Sequence, residues 1–138
     1  YWEQAKTRLV GVEPEVIAKY NVVSAPVAAR MALGAAAASG SDIAVSVTGV
    51  AGPTGGDEVR PVGTVYLGAA RGDTVYVQKL FVSRPDRALV RARAAQAALA
   101  LALRLAQGKV PAHTKPLAAS EQHSAAALDA LNEAFLAE

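Results

Sequence analysis

This sequence predicts an α/β protein, a three-layer helix–sheet–helix structure with a mixed sheet. Three observations predict it: a β-branched run without strict alternation at residues 42–48, two strand-like runs at 62–70 and 74–81, and an Ala/Leu-rich helical stretch over 85–107. At 138 residues one compact domain is the expected size. Apolar residues make up 52% of the chain and aromatics only 5%, so the core must be built mainly from Ala, Val and Leu. That is enough apolar surface to offset chain entropy, which excludes disorder for the bulk of the chain.

In chain order, Pro14–Tyr20 reads as a short helix, with Pro14 in its first turn and Glu15 near the positive end of the dipole. Asn21-Val-Val-Ser24 is a break, and Ser24 is a good N-cap for a helix over 25–38. Val27, Met31 and Ala35 share one helical face, expected toward the core. Ser39-Gly40-Ser41 ends that helix, and the strand over 42–48 should be covered on both faces. A loop rich in Gly and Pro fills 49–61. Arg71-Gly72-Asp73 between the next two strands predicts an antiparallel hairpin, a better account of these letters than an adhesion tripeptide. The long helix closes at Gly108. The division expected is a core domain over 1–107, a linker over 108–119 and an appended helix over 120–138, with Leu128, Leu131 and Phe135 on one face.

Composition narrows the function classes. With no Cys there is neither a disulfide framework nor a thiolate metal site, and the two histidines, His113 and His123, are too few for a histidine centre. The longest apolar stretch, 94–102, falls far below the ~20 residues of a membrane span, so no membrane association and a cytoplasmic location are expected. A net charge of +2 implies no generic binding to nucleic acid or anionic lipid. The charge is unevenly placed, however. Residues 83–108 carry Arg84, Arg87, Arg91, Arg93 and Arg104 against Asp86 alone, whereas 109–138 are net acidic. The chain opens on Tyr1 rather than Met, from which a longer natural N-terminus is expected.

Two segments could hold an anion. The loop Thr48-Gly49-Val50-Ala51-Gly52-Pro53-Thr54-Gly55-Gly56 leaves a strand end, where freed backbone N–H groups can form an anion-binding nest; it could equally be a solvent loop. It is not a phosphate-binding Walker loop, because no Gly-Lys-Ser/Thr follows. Arg84, Arg87 and Arg91, spaced three and four apart, share a helix face suited to phosphate or carboxylate, or else simply solvated.

Four blocks in order resemble the CinA C-terminal domain family, the bacterial nicotinamide mononucleotide (NMN) amidohydrolases. They are Tyr1-x-x-x-Ala-Lys6 with Leu9-Val-Gly-Val12; Val23-Ser24; Val47-Thr-Gly-Val-Ala-Gly-Pro-Thr-Gly-Gly56 followed by Arg60-Pro-Val-Gly-Thr-Val-Tyr66; and Asp86-Arg87 with Val90-Arg91. The resemblance covers about residues 1–107. It implies hydrolysis of the NMN carboxamide to nicotinic acid mononucleotide and ammonia, with no metal or other cofactor, by a homodimer. In the family a Ser in a Glu-Ser-Cys-Thr-Gly-Gly motif is the nucleophile. That motif does not occur in these residues, and its place would be ahead of Tyr1. Carried over by motif, Lys6 is the general base and Tyr1 its hydrogen-bonding partner. Thr48, Gly49, Ala51 and Gly52 line the nucleotide pocket, and Arg91, with Arg87, meets the phosphate. The chemistry fits these residue types. A Ser hydroxyl is weak until a base takes its proton, and a lysine serves as that base only where burial or nearby positive charge brings its pKa toward ~7–8. Trp2-Glu3 and Asn21 depart from the family pattern, which has a small residue, Asn and Gly at the three positions. The rival expectation is a catalytically silent domain that binds a pyridine mononucleotide or a competence-associated partner. Nucleic-acid binding through the Arg-rich helix is a weaker third.

Overall fold

A computed structural model describes residues 3–137. The chain runs α1 (Gln4–Val10), α2 (Pro14–Tyr20), α3 (Ala25–Ser39), β1 (Ile43–Gly49), β2 (Thr64–Arg71), β3 (Thr74–Phe81), α4 (Arg87–Ala106), β4 (Lys115–Ala118), a 3-10 turn (Ala119–Glu121) and α5 (Ala125–Leu136). Local chemistry explains the helix starts. Ser24 caps α3 by accepting the Val27 N–H, Asp86 caps α4 through Leu89 N–H, and Ser124 caps α5 through Ala127 N–H. Ser120, expected to begin the last helix, lies instead in the 3-10 turn.

The four strands form one sheet in the order β1-β2-β3-β4, and every neighbouring pair is antiparallel. The mixed sheet expected from the sequence is therefore corrected. A crossover helix normally returns the chain parallel to its starting strand, and α4 would do so here. After it, however, Gly108 and His113 adopt positive φ and reverse the chain, so β4 descends beside β3 with Thr74 opposite Ala118. The segment 108–119, expected as a linker, thus contains a strand. Its prolines conceal this, yet Pro116 sits on an edge strand, where a missing N–H costs no ladder bond.

The sheet faces are covered unequally. Tyr66, Ala70, Val75, Val77 and Leu117 pack with Ala25, Ala28, Ala29 and Ala32 of α3 and with Leu128, Leu131 and Phe135 of α5. The C-terminal helix is therefore part of the core. On α3 it is Ala28, Ala29, Ala32 and Leu33, with Val27, that are buried, while Met31 and Ala35 are only half-buried. Helix α1 lies against α3 so closely that a Cβ on Gly34 would fall 1.7 Å from the Val10 carbonyl oxygen. On the other face Val65, Leu67 and Ala69 meet Val90, Ala94, Ala98, Leu101 and Leu105 of α4, with Val82 and Ala51 beside them. Among the described residues β1 is an edge strand, and it is not covered on both faces: Val45 is 37% exposed and Val47 half-buried.

Candidate active site

The loop over 50–63 is held by a small number of specific bonds. At its base Val50 and Gly63 pair with Thr64 and Val50, respectively, through backbone N–H···O bonds of 2.9 and 2.8 Å. In its middle the Asp57 carboxylate accepts the N–H groups of Val59 and Arg60. Gly52 has φ +83 and precedes a cis bond to Pro53, a conformation that glycine adopts without Cβ strain.

The loop is tied to both layers. Toward α4, Arg87 Nη1 donates to the Gly52 carbonyl at 3.2 Å. Toward α2, Arg60 donates to the Val23 carbonyl through Nε at 2.5 Å and to the Tyr20 carbonyl through Nη2 at 2.8 Å. The Thr48 hydroxyl, buried to 3% exposure, donates to the Val22 carbonyl at 2.7 Å. Three carbonyls where the chain leaves α2, those of Tyr20, Val22 and Val23, thereby anchor the loop and the strand that feeds it.

Four of the sequence-predicted binding residues meet. Gly49, Ala51, Arg87 and Arg91 line one cavity of about 530 Å³, with Val47 and Val65 beside them. Glycine is required at 49, because a Cβ there would approach the Thr64 carbonyl oxygen to 2.9 Å. The side chain of Thr48 points to the opposite face of the sheet, as strand alternation demands, and Gly52 joins the cavity wall only through its bond to Arg87. Lys6 lies on α1, on the α3 side of the sheet, and is 4% exposed. It does not line the arginine cavity. One turn before it, Glu3 shares a second cleft of about 450 Å³ with Lys19, Tyr20, Asn21, Val22 and Arg60. The helix of Lys6 thus begins in the same cleft as the loop residue Arg60 and as Val22, whose carbonyl accepts the Thr48 hydroxyl at the end of β1. Tyr1 lies outside the described residues.

Arg30, Glu13 and Asp129 form contacts that no sequence motif pointed to. Arg30, 4% exposed on α3, donates through Nη2 to the Gly11 carbonyl and to both Glu13 carboxylate oxygens at 2.8–3.0 Å. Its Nη1 reaches the Gln122 carbonyl at 3.3 Å and His123 Nδ1 at 2.8 Å. Asp129 accepts the Tyr20 hydroxyl at 2.5 Å and pairs with Lys19 at 2.9 Å. These bonds hold the Asp129 carboxyl below its usual pKa, the Tyr20 bond first and the Lys19 bond second. Burial, followed by the bond to Asp129, raises the Tyr20 phenol, and the bond to Asp129 raises Lys19. Only a Glu13 three residues past a helix end and an acidic residue on an Ala-rich helix were visible beforehand. Neither spacing indicates a partner 17 positions away for Glu13 or 109 positions away for Asp129.

Among the described residues no group of three or more His, Asp or Glu could hold a metal ion, and no helix is long and apolar enough to cross a membrane.

Comparison with known proteins settles the family. The model of the CinA C-terminal domain matches residues 1–106. The chain belongs to the CinA C-terminal domain family. Among members of that family, the nicotinamide-nucleotide amidohydrolase PncC of Escherichia coli is 43% identical over 101 residues, which cover 72% of this chain and 60% of PncC. A CinA-like protein of Geobacter sp. (strain M21) is 50% identical over 91 residues, 66% of this chain and 22% of that protein. The chain therefore spans between about a fifth and three-fifths of these CinA-family relatives. The solved structure of the competence/damage inducible protein CihA from Agrobacterium tumefaciens superposes with a TM-score of 0.74 at 34% identity, over 78% of this chain and 66% of that one. A CinA superfamily protein from Escherichia coli gives 0.71 at 33%, over 76% and 60%.

Proposed function

We propose that the complete protein hydrolyses the carboxamide of NMN to nicotinic acid mononucleotide and ammonia. The observation that carries this reading is the single cavity shared by the glycine-rich loop and the arginine pair, Gly49 and Ala51 with Arg87 and Arg91. At about 530 Å³ it lies within the usual range for small-molecule sites. The name of PncC, an amidohydrolase of nicotinamide nucleotide, supports the substrate.

In this reading Arg91, assisted by Arg87, takes the phosphate, and the nucleotide crosses the end of β1 toward α1. A Ser ahead of Tyr1 attacks the carboxamide carbon while Lys6, oriented by Tyr1, takes the hydroxyl proton. Collapse of the tetrahedral intermediate breaks the C–N bond, and the same proton leaves with ammonia. Water then hydrolyses the acyl-serine to the carboxylate. Thr48 and Gly52 hold the loop in place, and no cofactor takes part. Dimerisation and a cytoplasmic location accompany the proposal.

The test is ammonia release from NMN by the complete protein. Lys6→Ala is expected to abolish turnover while circular dichroism stays native; full activity in that variant would reject the role given to Lys6. Mononucleotide binding without any turnover by the unmutated protein would favour the silent binding domain instead.

A further inference from the structure

The C-terminal segment, which the family model does not cover, reaches the loop through a continuous set of bonds. Asp129 of α5 accepts the Tyr20 hydroxyl at 2.5 Å and pairs with Lys19 at 2.9 Å, so α5 grips the last turn of α2. The Lys19 ammonium also lies 5.1 Å from the centre of the Tyr20 ring. The backbone carbonyl of the same Tyr20 accepts Arg60 Nη2 from the loop. Two and three residues on, the Val22 and Val23 carbonyls accept the Thr48 hydroxyl and Arg60 Nε. The opposite end of α2 is held as well. Its N-cap residue Glu13 is bonded by buried Arg30, whose other nitrogen reaches Gln122 and His123 just before α5. Helix α2 has only seven residues, four of them exposed and only Tyr20 buried, so its position depends on these ties more than on its own propensity.

We infer that α5 positions the glycine-rich loop, with Asp129 acting through Tyr20 on the carbonyls that hold Arg60 and Thr48. This rests on the reading of that loop as the mononucleotide site. Asp129 and Tyr20 are positioning residues and need touch no substrate. A hydrogen bond of this kind is worth a factor of several in an equilibrium, up to about tenfold.

The experiment uses the complete protein and the variants Asp129→Ala, Tyr20→Phe and the two combined, with Ser124→Ala as control. The control removes the N-cap of α5 and lowers stability while leaving both partners of the Asp129–Tyr20 bond in place. Hydrogen exchange is read at the loop amides of Val50, Asp57, Arg60 and Gly63, and affinity for nicotinic acid mononucleotide by calorimetry. Asp129→Ala and Tyr20→Phe are each expected to speed exchange at these amides and weaken affinity about three- to tenfold, with kcat for NMN within about twofold of the unmutated protein. The double variant should resemble either single one, because both remove the same tie. The control should lower Tm while leaving loop exchange and affinity unchanged.

Variants that lower Tm but leave loop exchange at the unmutated rate would overturn the inference, as would a control that loosens the loop equally. The exchange measurement needs no activity. If the unmutated protein releases no ammonia, the functional reading fails while exchange still decides whether α5 braces the loop.

Discussion

At the scale of single residues, the strongest constraints are close approaches and buried charges. Gly34 lets α1 lie against α3, and a methyl group there would collide with the Val10 carbonyl. Gly34→Ala is expected to destabilise the protein by about 1–3 kcal/mol, read from denaturant unfolding, because overpacking forces the helices apart. An unchanged midpoint would show that α1 can move away freely. The Lys19–Tyr20–Asp129 group sets a pH window. The Asp129 carboxyl is held below its ordinary 3.8, so its contribution is complete above that value and is lost as pH falls through the lower folded value. Tyr20 and Lys19 are raised above 10.0 and 10.5, so their contributions are complete below those values and disappear as pH rises through the higher folded ones. The increment lost in Tyr20→Phe should therefore be constant between about pH 4 and 10 and shrink outside that window. An increment that varies near neutrality would implicate a different group.

At the scale of elements, α4 has two tasks. One face, Val90, Ala94, Ala98, Leu101 and Leu105, covers the sheet, and its first turns carry Arg87 and Arg91 into the cavity. Arg91→Gln is expected to weaken mononucleotide affinity about 10- to 100-fold, since a charged hydrogen bond contributes about 1.5–3 kcal/mol. Added salt should weaken the unmutated protein more than the variant. Equal salt dependence in the two would place the phosphate elsewhere. The arginine spacing was legible in the sequence because helical periodicity puts residues three and four apart on one face. Its convergence with Gly49 and Ala51 was suggested only by the family resemblance. The separation of Lys6 from that cavity was not legible at all, because which sheet face a helix covers depends on packing. Thr48 shows the same limit: its place in the motif was readable, but strand alternation turns its hydroxyl toward α2.

At the scale of the whole molecule, the region beyond the family model completes the core. Leu117, Leu128, Leu131 and Phe135 are buried against β2, β3 and α3, and the Phe135 ring meets Tyr66 edge to face at 5.8 Å. Leu131→Ala is expected to cost about 2–5 kcal/mol. Ending the chain after Ala106 should leave a protein that unfolds at much lower denaturant or fails to remain soluble, because Val75 and Val77 would face water. A truncated chain of full stability would make the segment an appendage after all.

Periodicity, caps and turn residues were enough to locate α2, α3, α4 and the β2–β3 hairpin, since each depends on interactions within a few positions of the chain. The motif blocks likewise identified the family. Strand direction, the fourth strand in a proline-containing stretch, the edge position of β1 and the ties from Arg30 and Asp129 emerged only on folding. Those depend on which surfaces meet across a hundred residues, where burial and charge pairing outweigh local preference.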